Sequence, residues 1–100
     1  MSEFEKHIIR IRELCSKHKV KTLYAFGSVL NKQFTLQSDI DFIVDFEPVD
    51  TKQYADNYYD LKFSLEEILS RRVDLLEEKA IKNPYFRQSV NEQRQLLYGH

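Results

Sequence analysis

One hundred residues, 42% apolar and 13% aromatic, carry enough hydrophobic side chains for one core and predict a single domain over residues 1–100. Fifteen basic and sixteen acidic residues leave a formal charge of −1, which argues against direct nucleic-acid binding or a polybasic membrane patch. One cysteine excludes a disulfide framework and a thiolate metal cluster. The start Met1-Ser2-Glu3-Phe4-Glu5-Lys6 lacks a signal-peptide pattern, and no apolar run approaches the ~18 residues of a membrane span. A reduced, cytoplasmic protein is expected.

Ser2 followed by Glu5 reads as a capping box for a first helix. Phe4, Ile8, Ile11 and Cys15 then repeat on one helical face to about Lys19, so Cys15 is expected to pack as a small buried hydrophobe. Val20 to Phe26 reads as a first strand ended by Gly27. Ser28 to Gln33 predicts a short helix and Phe34 to Ser38 a loop. Asp39 to Phe46, rich in β-formers and closed by Pro48, predicts a second strand.

Asp50 can cap a second long helix, with Gln53 at the capping-box position and Tyr54, Tyr58, Leu61, Leu65 and Ile68 along its apolar face. Arg71 to Leu76 predicts a third strand. Asn83-Pro84 marks a helix start, a capping side chain followed by proline at the first helical position. Arg94 to Tyr98 fits either an edge strand or further helix. Helices interspersed with strands imply an α/β or α+β class, a small mixed β-sheet flanked by helices.

Within the second strand, Asp39 and Asp41 share a face, while Ile40, Phe42, Val44 and Phe46 point to the other. Two unscreened carboxylates ~5 Å apart repel by about 3 kcal/mol at an effective dielectric near 20. A divalent cation removes that cost, and Mg²⁺ favours one or two carboxylates together with substrate phosphates. Asp74, between Val73 and Leu75, has the opposite parity to its apolar neighbours and is a plausible third ligand. Arg72 shares that parity and could meet a phosphate or pair with a carboxylate. Asp45, toward the strand end, reads as surface. A calcium loop is excluded, because counting from Asp39 its fifth and sixth positions would be Ile43 and Val44.

Gly27 after a strand lets backbone approach a ligand, and the first N–H groups of a following helix suit phosphate oxygens, with the Ser28 hydroxyl as a further donor. Alone, the pair could simply turn the chain and cap the helix, and no P-loop pattern is present. Gly27-Ser28, ten residues, Asp39-x-Asp41 and a later strand aspartate together resemble the nucleotidyltransferase superfamily related to DNA polymerase beta. The short length resembles its minimal nucleotidyltransferases, the MNT proteins, antitoxin-type partners of helical HEPN proteins.

That resemblance implies a nucleotidyltransferase fold and a Mg²⁺-dependent enzyme, with two ions expected. By position, Gly27 and Ser28 would bind the nucleotide's phosphates, and Asp39, Asp41 and Asp74 would be catalytic metal ligands, Asp74 nearest the attacking hydroxyl. The implied reaction transfers AMP from ATP to a hydroxyl of a HEPN-type protein. Many relatives follow Gly-Ser with an arginine, where this chain has Val29-Leu30; Lys32 or Arg72 could take that place. The alternatives are a catalytically degenerate antitoxin that acts by binding its toxin, and a small-molecule nucleotidyltransferase working with a separate substrate-binding subunit. A homo- or hetero-oligomer fits either.

Overall fold

The computed structural model describes residues 5–26 and 40–99. Helix α1 spans Ile8–Lys17 and buries Ile11 and Cys15. It begins later than expected. Glu5 to His7 form turns, and the helix N-cap is His7, which makes no side-chain capping bond. Ser2 lies outside the described residues. Helix nucleation is costly, and regular structure is held here by the buried Ile11 and Cys15 rather than by the polar turn before them.

After Lys19, which takes the left-handed conformation (φ 61°), the chain enters β1 (Val20–Phe26) with the predicted bounds. The short helix and loop expected from Ser28 to Ser38 fall outside the described residues, as does Asp39. Strand β2 is described over Ile40–Phe46. Asp50 then caps α2 (Thr51–Leu69) by accepting from the Gln53 N–H at 2.8 Å, and Ser70 closes the helix in the left-handed region.

Strand β3 (Val73–Glu77) starts two residues after the predicted point, because Arg71 still belongs to the helix exit, its N–H bonded to the Glu66 carbonyl. A 3₁₀ turn over Glu78–Ala80 follows. Asn83 caps α3 (Pro84–Gln93) by accepting from the Tyr85 and Phe86 N–H groups. The ambiguous last segment is a strand, β4 (Gln95–Tyr98).

The four strands form one mixed sheet in the order β3-β2-β1-β4. The β1–β2 and β1–β4 pairs are antiparallel, whereas α2 carries the chain across to make β2 and β3 parallel. One face packs on α1 and α2 through Leu23, Ala25, Ile40, Phe42, Val44, Val73, Leu75 and Leu97. On the other face a smaller cluster of Ile43, Ile81 and Val90 packs with Tyr24 and Phe26 beneath α3. Ile43 is fully buried there, so β2 is covered on both faces.

Side chains from the helices also cover the sheet margins. The Glu66 carboxylate accepts from the Val73 N–H at 3.0 Å, and the Tyr58 hydroxyl donates to the Leu75 carbonyl. At the other margin Arg12 Nε donates to the Leu97 carbonyl at 3.2 Å. Backbone groups tied up in this way offer less to an added strand. Among the described residues no helix is long and apolar enough to cross a membrane.

Candidate functional site

Strand register brings two of the predicted carboxylates together. Asp41 of β2 and Asp74 of β3 are partners in the parallel ladder. Neighbouring strands lie about 4.8 Å apart, so the two side chains leave the same face side by side. Asp74 is exposed and Asp41 half-buried, whereas their strand neighbours Ile40, Phe42, Val73 and Leu75 all turn into the main core. The parity read from sequence therefore holds on both strands.

On its other side Asp41 is opposite Phe26, the last residue of β1. One row across the sheet thus reads Asp74, Asp41, Phe26, and Gly27 is the next residue along the chain. Gly27, Ser28, Lys32 and Asp39 lie outside the described residues. Among the described residues no group of three or more acidic, histidine or cysteine side chains is assembled to hold a metal. Arg72 is exposed just before β3, and its carbonyl accepts from the Ile40 N–H at 3.0 Å, which ties the start of β2 to β3. Asp45 is half-buried and pairs with Thr22 toward the opposite end of the strand, away from Asp41.

Two tyrosines of α2 face the C-terminal ends of the strands. Burial, then a hydrogen bond and charge from Glu77, raise the Tyr54 hydroxyl above its ordinary range. Burial raises Tyr58 as well, followed by the charges of Glu77, Tyr59 and Asp74. Burial alone pushes the Cys15 thiol up to about 12, which suits packing and not nucleophilic chemistry.

Helix α3 packs over the carboxylate face beside the Asp41 row, a placement that no local sequence motif marks. Phe86 of α3 meets Phe26 edge-on, with ring centroids 5.8 Å apart. Glu78 Oε1 accepts from both Arg87 and Arg94 at 2.9 Å, and Arg87 also donates to the Glu78 and Ile81 carbonyls. The Arg94 guanidinium lies 4.0 Å from the centre of the Tyr24 ring. These contacts fasten α3 to the sheet beside the Asp41 row. A signal was available in Ile43, which makes the run Phe42-Ile43-Val44 apolar at both parities, as expected for a strand buried on both faces.

The chain matches known proteins in sequence and in fold. Residues 9–97 fit the family model described as nucleotidyltransferase domain. A Methanocaldococcus jannaschii protein named "Putative protein adenylyltransferase MJ1379" is 38% identical over 89 residues, 87% of this chain and 88% of that protein. A second from the same organism, "Putative protein adenylyltransferase MJ0128", is 39% identical over 79% of this chain and 78% of its own length. Among solved structures, one described as a "putative minimal nucleotidyltransferase" superposes with a TM-score of 0.77 at 28% identity, covering 95% of each chain. A toxin–antitoxin structure with AMP-PNP gives 0.70 at 25% identity, covering 93% of this chain and 73% of that one. The chain belongs to the nucleotidyltransferase domain family, as one of its minimal members.

Proposed function

We propose that this protein transfers AMP from ATP to a hydroxyl group of a protein partner of the HEPN toxin type. The observation that carries the reading is the register of Asp41 with Asp74, which sets two carboxylates side by side on one face of the sheet, Asp41 half-buried and Asp74 exposed. Adjacent carboxylates repel one another, and a bound cation offsets that repulsion. Hard carboxylate oxygens suit Mg²⁺, and Asp41 and Asp74, joined by Asp39, would hold it. When bound, the ion supplies charge neutralisation to the nucleotide's phosphates. Gly27 and Ser28 would receive those phosphates through backbone N–H groups and the hydroxyl, and Arg72, exposed just before β3, would add a positive charge.

In the proposed step the acceptor hydroxyl oxygen attacks the α-phosphorus of ATP. A P–O bond forms to the acceptor, the bond to pyrophosphate breaks, and Asp74 takes the hydroxyl proton. Positioning and charge stabilisation provide the acceleration. The relatives named for protein adenylyltransferase activity support the acceptor class, and the AMP-PNP complex supports the nucleotide. Incubation with α-labelled ATP, Mg²⁺ and the helical partner should label the partner, and Asp74→Asn should eliminate the label. Tight binding that neutralises the partner with no transfer would favour a degenerate antitoxin instead, the reading to which Val29-Leu30 in place of an arginine points.

A further inference from the structure

We infer that the Phe26–Phe86 ring pair is the platform on which the base of the bound nucleotide stacks, an inference that rests on the nucleotidyltransferase reading above. Phe26 is the register partner of Asp41 on β1, so its Cα lies about 5 Å away on the side of Asp41 opposite Asp74. The sheet row therefore passes from two carboxylates that would hold the cation paired with the nucleotide's phosphates directly to an aromatic side chain. A nucleotide whose phosphates are held beside Asp41 through such a cation would carry its base one sugar away from them, on the scale of the distance to that side chain.

Phe26 alone is half-buried against Ile43, Ile81 and Val90. Phe86 completes the platform. It sits on the first turn of α3, meets Phe26 at an interplanar angle of 88°, and is 39% exposed. In such an edge-to-face pair, the ring that offers its edge keeps both faces clear of the other. Helix α3 cannot drift from this position easily, because Arg87 bonds the Glu78 carboxylate and two carbonyls while Arg94 bonds the same carboxylate. An exposed aromatic ring that is fixed from beneath loses little entropy on stacking. Base–aromatic stacking tolerates any base, because every base has a π-face. Shape and hydrogen bonds elsewhere would then set any preference for adenine.

Binding of ATP and of inorganic triphosphate, each with Mg²⁺, separates this role from a structural one. Phe86→Leu should weaken ATP by roughly tenfold and leave inorganic triphosphate unchanged, because only ATP carries a base. Phe86→Tyr, which keeps the ring, should bind ATP as wild type does. An equal loss of both ligands in Phe86→Leu would make the residue merely structural and overturn the inference. Unchanged ATP affinity in Phe86→Leu would overturn it too. A wild type that binds neither ligand would sink the nucleotidyltransferase reading, and the platform with it.

Discussion

At Asp74 the sequence asks for a charge where packing asks for nothing. The residue is exposed, while Val73 and Leu75 on either side are buried in the main core. Replacement by asparagine keeps shape and hydrogen-bonding capacity, so stability should change by no more than about 0.5 kcal/mol. Transfer of AMP should fall by roughly a hundredfold or more, as expected when several kcal/mol of transition-state stabilisation are lost. Melting curves and labelling rates measured on the same preparation test both halves. A variant that fails to fold would make Asp74 a structural residue.

Gly99 poses the opposite problem, a residue fixed by backbone and not by chemistry. Its φ is +95°, and a Cβ added there would lie 2.2 Å from the Lys21 carbonyl oxygen. Gly99→Ala should therefore cost about 1–3 kcal/mol and lower Tm by several degrees, with nucleotide binding unaffected.

Elements were legible in the sequence where a local signal and the burial pattern agreed. The bounds of β1 follow from an apolar run ended by Gly27, and the start of α2 follows from Asp50, whose carboxylate bonds the Gln53 N–H. At α1 they disagreed. Ser2 and Glu5 have the right spacing for a cap, but Ile11 and Cys15 are the residues that bury, and the helix starts at Ile8. Of the site, the shared face of Asp41 and Asp74 was legible from parity alone. Their adjacency was not, because register depends on how α2 returns the chain beside β2.

The docking of α3 over the carboxylate face was hidden for a similar reason. It depends on Glu78, Arg87 and Arg94, charged residues whose pairing only the folded chain reveals. Glu78→Gln should destabilise the domain by about 1 kcal/mol, modest because all three side chains keep some exposure to solvent. High salt should shrink the difference between variant and wild type. Asn83→Ala removes the acceptor for two N–H groups at the start of the same helix and should cost a similar ~1 kcal/mol, with no salt dependence. Urea midpoints at low and high salt distinguish the two.

For the whole molecule, stability in alkali should be set where α2 meets the C-terminal ends of the strands. Tyr54 packs edge-on against Phe46 of β2 with centroids 5.1 Å apart, and Tyr58 bonds the Leu75 carbonyl of β3. Both hydroxyls hold their protons more tightly in the folded chain, mainly through burial and secondarily through Glu77. A raised folded pKa means that the unfolded chain gives up these protons first, near the ordinary value of 10. The stabilisation is complete below that pH and is lost as pH rises above it, because the unfolded state then binds fewer protons than the native one. Circular dichroism from neutral pH upward should show little change until about pH 10, then cooperative loss of helix and sheet together. Tyr54→Phe removes the hydroxyl that is hydrogen-bonded to Glu77 while keeping the ring on Phe46, so its transition should move to higher pH. A profile that superimposes on wild type would take the alkaline transition away from this hydroxyl and leave the interface without a role in it.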